Sequence, residues 1–420
     1  MKDRHWLRGI TLVAVLALIG AACSEDAPPG GDNGTTEDPL GTITIGEGEP
    51  ITVAVIESIT GATASLGTDQ VRAVEIAIED RGGELLGHPI EIQEEDDGCD
   101  AAVGTTAAQK VVADESIVGV IGTSCSGAAV PAMEIFSPAG FTMISGSNTS
   151  PILTQAAGEE GIAHQDGYFR TAHNDQIQGA AAATFAFDEL GVTKAATVHD
   201  GDPYTQGLAD AFAKSFQELG GEITLATSVN KGDTDMRPVL TEIAASEAEL
   251  VFFPIFQPEA DFIVKQAGEI EGLGDTAILM GADGLLSDTF VEDIPETEGM
   301  YFSGPATPTG GTYTEFVAKY EEAYGEKPIQ AFHAHAYDAM NILLDAIEAV
   351  AVEDGGSLTI GRGALRDQIA GTSEYQGLTG TLTCDEFGDC ADPVIDVVQN
   401  TDAEKSITDV KENVLFTYTP

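Results

Sequence analysis

The hydrophobic pattern of the chain from Ile51 onward alternates between short apolar runs and segments with helical spacing. The run Ile51–Glu57 predicts a buried strand, and the apolar spacing within 69–82 predicts a helix that Gly82 and Gly83 end. The alternation continues with strand 89–95, a helix that Asp100 opens as N-cap, strand 117–121, a helix from about 128 to 139 and strand 141–145. This order predicts a parallel sheet that helices cover on both faces.

The same alternation begins again after Arg170. It predicts helices at 176–190, 204–219, 235–246 and 258–271, and strands at 194–199, 222–229, 249–254 and 276–281. One sheet would need too many strands, so we predict a second α/β lobe. A helical region at 312–353 and a β-rich end, with strands at 378–383, 394–399 and 414–418, complete the pattern.

The predicted fold class is therefore α/β, with two parallel-sheet lobes. Such lobes bind ligands at the carboxyl ends of their strands. Two lobes that face each other place a ligand in the cleft between them, so we expect the binding site there.

Residues 1–22 have the pattern of a secretory signal peptide. Basic residues precede the apolar run Ile10–Ile19, and small residues then lead to Cys23. The run is shorter than the roughly 20 residues that span a bilayer. Cys23 resembles the lipidated cysteine of a bacterial lipobox, although Gly20 stands where lipoboxes usually carry Leu, Val or Ile. We expect an exported lipoprotein anchored on the extracytoplasmic face of the cell membrane; the alternative is a secreted protein with a free Cys23.

Residues 24–49 differ in composition from the rest of the chain. They are rich in Gly, Pro, Thr and acidic residues. Such a segment buries little apolar area, so it predicts a flexible tether between Cys23 and the folded body.

The charge of the chain excludes one class of partner. Lys and Arg number 18 against 70 Asp and Glu among 420 residues, for a formal net charge of −52. A nucleic acid partner needs a basic face, so nucleic acid binding is excluded. The acidic residues are spread along the chain, which indicates a surface suited to high salt. We expect the melting temperature to rise between low and molar salt.

With Cys23 lipidated, four cysteines remain in an oxidising compartment, and these allow three pairings. Cys99 and Cys125 each follow a predicted strand, and both sit at one sheet edge if those strands are neighbours. Cys384 and Cys390 flank a predicted hairpin turn. We therefore predict the pairs 99–125 and 384–390. A zinc site is the weaker alternative because CxxC pairs are absent, so we expect no metal.

Several segments, taken in order, resemble one family. They are Gly61–Gly67, Glu94–Asp100, Ile121–Ser126, Ser145–Leu153, Val198–Asp200 with Tyr204 and Gly207, Met280–Gly284 and Gly377–Gly380. In these segments the chain resembles the branched-chain amino acid (Leu/Ile/Val) substrate-binding proteins of ABC importers, which have the periplasmic-binding protein fold type I. The likeness runs from about Ile51 to Gln399.

The resemblance implies a domain organisation. It implies three hinge crossings, near 171–173, 303–305 and 375–378. Lobe I would hold 50–172 and 304–376, and lobe II would hold 173–303 and 377–420. The family also has a disulfide that matches Cys99–Cys125.

The resemblance implies ligand-binding residues for both ends of an amino acid. Ser126, just before the helix predicted near Ala128, matches a serine that binds the carboxylate; the alternative is a plain helix N-cap. Thr149 matches a threonine that contacts both ends, and Ser147 matches a position whose carbonyl meets the ammonium; the alternative is a polar loop before Pro151. Asp283 matches the acidic partner of the ammonium, usually Glu; the alternative is a turn with Gly284.

Other matched positions concern the pocket around the ligand side chain. Tyr204 and Phe256 match aromatics that close over the ligand, although core packing explains them equally well. Leu66, Phe332 and Ser124 complete the pocket. Ser147 and Asn148 stand where Leu/Ile/Val proteins carry alanines, and Leu66 replaces an aromatic. The pocket therefore departs from that of aliphatic binders, and we expect a more polar amino acid, or an amide or urea-like solute.

Two further expectations concern single residues. His333 and His335 are two positions apart on a predicted helix and point to different faces, so we interpret them as ordinary core or surface histidines. Asp283→Ala is expected to weaken ligand binding tens-fold or more, whereas Asp97→Ala is expected to change it little.

The predicted function is that of a monomeric solute-binding lipoprotein. It would capture a small amino-acid-like ligand and deliver it to an ABC permease, with no catalysis and no cofactor. An enzyme is one alternative; the chain has no Gly-x-Ser-x-Gly, HExxH or P-loop motif, although counting cannot exclude paired carboxylates. A ligand-sensing receptor is another. In one chain it would need a membrane span and a signalling domain after Pro420, so we expect any signalling partner to be a separate protein.

Overall fold

A computed structural model describes residues 38–156, 159–274 and 276–420. The predicted signal peptide, Cys23 and the first part of the predicted tether lie outside these residues. The described residues contain no helix with the length and apolar character needed to cross a bilayer.

The elements up to Arg170 build the first sheet. In chain order they are β1 (Thr42–Ile45), β2 (Ile51–Glu57), α1 (Ala64–Asp80), β3 (Glu84–Leu85), β4 (His88–Asp96), α2 (Ala101–Val112), β5 (Ile117–Gly122), α3 (Ser126–Phe136), β6 (Met143–Ser145), β7 (Gln155–Ala156), β8 (Glu159–Glu160) and β9 (Tyr168–Arg170).

The middle of the chain builds most of the second sheet. Its elements are α4 (Asp175–Thr184), β10 (Lys194–His199), α5 (Pro203–Glu218), β11 (Glu222–Ser228), α6 (Arg237–Ala245), β12 (Leu250–Phe252), α7 (Glu259–Ala267), β13 (Ile278–Ala282), α8 (Asp288–Val291) and β14 (Tyr301–Pro305). A π-helical segment, Phe185–Glu189, extends α4.

The last part of the chain contributes to both sheets. Its elements are α9 (Gly311–Tyr324), α10 (His333–Val350), β15 (Val352–Asp354), β16 (Ser357–Gly361), α11 (Arg362–Ala370), β17 (Tyr375–Gln376), β18 (Thr381–Leu382), β19 (Ile395–Gln399), α12 (Ile407–Glu412) and β20 (Val414–Tyr418).

The first sheet is the centre of what we call the first lobe, which also contains α1–α3 and α9–α11. Its six strands have the order β3-β4-β2-β5-β6-β9, and all but β3 are parallel. Val53 and Val55 of β2 pack with α1 and α10. Ala54 and Ile56, which point to the other face, pack with α2 and α3. Because both faces are covered, the strand is a continuous apolar run.

The second sheet is the centre of the second lobe, which also contains α4–α8 and α12. Its seven strands have the order β11-β10-β12-β13-β14-β19-β20, with β10–β14 parallel and β19 and β20 antiparallel. Val251 of β12 faces α6 and α7, whereas Leu250 and Phe252 face α4 and α5. This sheet is thus mixed rather than purely parallel.

The chain passes between the sheets at three places. After Arg170 it continues into α4, which contacts β14 and β19 of the second sheet, and after Pro305 it returns to α9 and α10 beside α1. Leu382 and Cys390 pack in the first lobe's core, so the third passage follows Cys390, later than the 375–378 that the resemblance implied. The other lobe boundaries stay a prediction, because residues 38–420 form one compact unit.

Two expectations about local structure are wrong. The predicted tether, 24–49, contains β1, which pairs antiparallel with β16 and buries Ile43 and Ile45. Four alternating residues, Thr-Ile-Thr-Ile, are too short a pattern to predict a strand within a segment rich in Gly, Pro and acidic residues. The strand that β1 pairs with, β16, also lies about 300 residues further along the chain. The helical region predicted at 312–353 is two helices, interrupted by a loop that contains Pro328, and it ends in β15.

The disulfides join Cys99 to Cys125 and Cys384 to Cys390, which are the predicted pairs. Gly388, within the turn that the second pair closes, has φ of +89°, a conformation that favours glycine. A Cβ at this position would also lie 2.2 Å from the carbonyl oxygen of Tyr168. The turn therefore depends on glycine both for its backbone angle and for its close approach to β9.

Candidate functional site

A small buried cavity lies between the two lobes at the carboxyl ends of parallel strands. It is lined by Leu66, Ser124, Cys125, Ser126, Ser147, Tyr204, Phe256, Asp283, Gly284 and Phe332. All the predicted ligand residues except Asn148 and Thr149 are in this set. The topology explains the convergence, because β5, β12 and β13 all end beside the cavity.

The cavity volume is only about 10 Å³, roughly the room for one water molecule. An amino acid needs more space than this. Binding of a ligand of this size therefore requires the cleft to widen.

On the first lobe, Ser126 is the first residue of α3, and Cys125 is its N-cap. The expectation that Ser126 precedes the helix is wrong by about two residues. Its hydroxyl accepts a hydrogen bond from the backbone N–H of Ser150 at 3.2 Å. The first N–H groups of a helix have no partner within the helix, and they favour a negative group. The start of α3 thus presents anion-binding groups to the cavity.

The loop after β6 places Ser147, Asn148 and Thr149 in different roles. The Ser147 hydroxyl donates to the carbonyl of Ser124 at 2.8 Å. Asn148 is fully buried, and its side-chain amide donates to the carbonyl of Thr123 at 2.8 Å, so it braces the loop from behind the cavity. The Thr149 hydroxyl is buried, has no hydrogen-bond partner among the described residues, and lies beside Asp175.

On the second lobe, the carboxylate of Asp283 is held by two neighbours. Its Oδ1 accepts hydrogen bonds from Gln178 Nε2 at 2.6 Å and from the Tyr204 hydroxyl at 3.0 Å. The ring centroids of Tyr204 and Phe256 lie 5.1 Å apart. Asp283 begins a short turn, as the alternative interpretation held, yet it also lines the cavity. Burial raises the pKa of Asp283 to about 6.

Asp175 is a candidate residue that the sequence did not indicate. It is the first residue of α4 and is fully buried, and the nearby charge of Arg170 acts on its carboxyl group. Burial, and then the negative charge of Asp283, raise the pKa of Asp175 well above its usual value. An acidic residue in the first turn of a helix is ordinary, so the sequence pattern concealed it. The carboxylate of Asp283, buried in the cavity lining with Asp175 close by, therefore favours a cation in the cavity.

Ser124 is held from behind by a buried acid. Its hydroxyl donates to Glu57 Oε2 at 2.5 Å and accepts from the backbone N–H of Ser58 at 2.8 Å. Burial raises the pKa of Glu57 well above its usual range. The Ser124 side chain is thus occupied by the protein, and its main role is to shape the cavity wall.

The surroundings of Asp97 argue against the expectation that Asp97→Ala changes ligand binding little. It is fully buried, and its carboxylate accepts the backbone N–H groups of Cys99 at 2.8 Å and Ser124 at 2.6 Å. Burial raises its pKa to about 7. Because Asp97 positions two loops beside the cavity, we now expect its removal to disturb the site.

The two lobes touch at the mouth of the cleft. Lys231 of the second lobe forms an ion pair with Asp202 at 2.9 Å and donates to the carbonyl of Cys99 on the first lobe at 3.4 Å. The Ser150 hydroxyl donates across the cleft to the carbonyl of Pro203 at 2.7 Å. We call the Lys231–Cys99 contact the latch.

The histidines are core residues. His333 packs in a stack with Phe316, and its Nδ1 lies 2.7 Å from the carbonyl of Gln330. His335 lies next to Phe332, with ring centroids 5.4 Å apart. Both are buried, although they lie outside the cavity lining.

Residues 50–389 match the family described as periplasmic binding protein. The chain belongs to this family. It is 30% identical over 386 residues to Leu/Ile/Val-binding protein homolog 1 of Brucella melitensis, and this match covers 91% of this chain and 92% of that protein. It is also 34% identical over 240 residues to an amino acid binding protein of Pseudomonas aeruginosa, where the match covers 57% of this chain and 62% of that protein.

Solved structures agree with the fold of this periplasmic binding protein. A leucine binding protein from Thermotoga maritima has a TM-score of 0.75 and 25% identity, covering 88% of this chain and 99% of that one. A branched-chain amino acid transporter substrate binding protein from Streptococcus pneumoniae, in complex with isoleucine, has a TM-score of 0.73 and 22% identity, covering 89% and 99%. The predicted family and the two-lobed α/β fold are confirmed.

Proposed function

We propose that this periplasmic binding protein captures a small zwitterionic amino acid, or a close analogue, between its lobes and delivers it to the permease of an ABC importer. The observation that carries the proposal is the buried carboxylate of Asp283 in a cavity whose described lining contains no cationic side chain, with the buried Asp175 close behind it. A ligand ammonium supplies the missing positive charge. A neutral amide or urea-like solute leaves the charge of Asp283 uncompensated, so it is less well supported.

Each end of the ligand has a proposed partner. The ammonium would lie between Asp283, Asp175 and the carbonyl of Ser147. The carboxylate would meet the start of α3 and the hydroxyls of Ser126 and Thr149. The side chain would contact Leu66 and Phe332. Relatives are named for leucine, isoleucine and valine, but Ser147 in the lining supports a more polar side chain.

Calorimetric titration tests the proposal directly. Purified protein is titrated with the proteinogenic amino acids, acetamide and urea, and the ligand is recovered afterwards. We expect one or a few small amino acids to bind and to be recovered unchanged. Binding only by neutral amides, or conversion of the ligand, would contradict the proposal.

We also propose that Cys23 carries the lipid anchor and that the segment after it tethers the body to the membrane. The lipobox resemblance supports this. Labelling of the full chain with a fatty acid, compared with a Cys23→Ser variant, tests it, and equal labelling of the two chains would contradict it.

Ligand affinity is expected to fall as the pH is lowered from 7.5 to 5. The pKa of Asp283 is raised to about 6, and the ammonium pairs with the ionised form. Below pH 6 binding must therefore release a proton, and affinity falls by up to about tenfold per pH unit. Titrations at pH 5 in buffers with different ionisation enthalpies measure this proton release. A constant affinity across this range would show that Asp283 does not face the ammonium.

Lys231→Met is expected to speed ligand release about three- to tenfold, because it removes the latch that favours the closed state. The effect is modest since the Lys231 side chain is 45% exposed. Stopped-flow displacement measures the dissociation rate. Lys214→Met, which removes an exposed lysine from α5, is the matched control. Equal rates for both variants would mean that the latch does not hold the lobes together.

A further inference from the structure

A second, larger cavity lies between the lobes and shares no lining residue with the candidate site. Its volume is about 420 Å³, which is within the range of small-molecule sites. The first lobe contributes Tyr313 and Val317 of α9 and the loop 327–331. The second lobe contributes Val398 of β19, Lys411 of α12 and Val414 of β20, and the passage 304–309 lies beside them.

Lys411 brings a positive charge to this cavity. Its ammonium donates a hydrogen bond to the carbonyl of Ile329, and none of the ion pairs within the described residues includes it. Asp69 is the carboxylate whose negative charge acts on Lys411. That carboxylate already accepts hydrogen bonds from the backbone N–H groups of Ile329 at 2.7 Å and Gln330 at 2.6 Å.

The rest of the lining is mostly apolar. It includes Leu286, Pro305, Pro308, Pro328 and Ala331. Two acidic residues also line it: Asp396, whose Oδ1 accepts the Thr417 hydroxyl at 2.6 Å, and Glu412, which is exposed at the edge. A second lysine, Lys327, and the buried His333 also line the cavity. A ligand that suits this lining has one negative group and an apolar body.

We propose that this cavity binds an apolar monocarboxylate, such as a medium-chain or aromatic carboxylic acid, with the carboxylate on Lys411. The apolar body lies against Leu286, Val317 and Val398. Burial lowers the pKa of Lys411 to about 8, so its ammonium is still mostly charged at neutral pH.

The position of the cavity couples it to the cleft. Its walls belong to both lobes, so an occupant contacts the closed arrangement more fully than an open one. A ligand that favours the closed state at one site raises affinity at the other, and the coupling is reciprocal. The monocarboxylate therefore acts with the cleft ligand rather than in competition with it.

Calorimetric titration of the purified protein with hexanoate, and with hexanamide as the uncharged control, tests the proposal. We expect hexanoate to bind at least about tenfold more tightly than hexanamide. Lys411→Met should weaken hexanoate binding by a similar factor, whereas Lys265→Met, on α7, should not. Val317→Trp, which fills the cavity from α9, should also abolish binding, and it tests the site independently if Lys411→Met fails to fold.

The Asp283→Asn variant separates this proposal from the proposed function. Hexanoate binding should survive in that variant even though amino acid binding is lost. Any of three results would overturn the proposal: hexanoate competes with the cleft ligand, it fails to bind at millimolar concentration, or it binds the Lys411→Met and Val317→Trp variants as tightly as the unaltered protein.

Discussion

Asp283→Asn is expected to weaken amino acid binding about thirtyfold or more and, at the same time, to stabilise the ligand-free protein. The loss of affinity follows from removing the charge that pairs with the ammonium. The gain in stability follows from the cost of burying that charge. The asparagine oxygen can still accept the hydrogen bonds that Gln178 and Tyr204 donate to Asp283.

The pH dependence of this gain has a definite sign. The pKa of Asp283 is raised from 3.8 to about 6, so its ionisation destabilises the folded state. The cost is fully present above pH 6 and absent below the unfolded pKa. At pH 7.5 Asp283→Asn should raise the free energy of unfolding by about 1–3 kcal/mol, and below about pH 4 the two proteins should be equally stable.

Thermal unfolding without ligand and calorimetric titration with it measure the two effects. Asp210→Asn is the matched control, because it makes the same chemical change at an exposed position of α5. The control should leave both quantities unchanged. A variant that keeps full affinity, or that loses stability at pH 7.5, would show that the Asp283 charge is not directed at the ligand.

Arg170→Met is expected to lower the free energy of unfolding by about 3–5 kcal/mol. The guanidinium is fully buried and forms an ion pair with Asp389. It also donates to the carbonyls of Asn148 at 3.2 Å and Ser150 at 2.9 Å. The substitution leaves these acceptors without their donor, and it disconnects the Cys384–Cys390 turn from the loop that carries Thr149.

Denaturant unfolding measures this loss when the unfolding free energies of the two proteins depend equally steeply on denaturant concentration. Arg237→Met, at a side chain that is 56% exposed, is the control and should change stability by less than about 0.5 kcal/mol. The double variant Arg170→Met with Asp389→Asn should recover part of the loss, because it removes the uncompensated carboxylate. A loss below about 1 kcal/mol for Arg170→Met would mean that water replaces the guanidinium at little cost.

Most of the predicted ligand residues line the cavity, and a short motif after a strand carries several of them. Ser126 and Ser147 lie in segments directly after β5 and β6, and Asp283 directly follows β13. Strand ends of this kind converge in any two-lobed α/β protein, so locating the strands locates the residues. Asn148 and Thr149 lie outside the cavity lining, and nothing local distinguishes a side chain that faces the cavity from one that braces the loop.

Asp175 was missed for a related reason. Its sequence neighbours indicate only the start of a helix, and Asn174 caps that helix as expected. The functional importance of Asp175 depends on Asp283, which comes from a different strand. Lys411 is a similar case, since its place in the second cavity depends on a loop that belongs to the other lobe.

The sequence by itself determined the export pattern, the alternation of strands and helices, the fold class and the disulfide pairs. These properties depend on residues close together in the chain, where periodicity and turn chemistry are local. Only the tertiary structure decided that β1 pairs with β16, that the second sheet ends in antiparallel strands, and that Asp175 and Asp283 are buried close to each other. Those features depend on contacts between distant segments, and the cost of burying a charge is set by the whole fold around it.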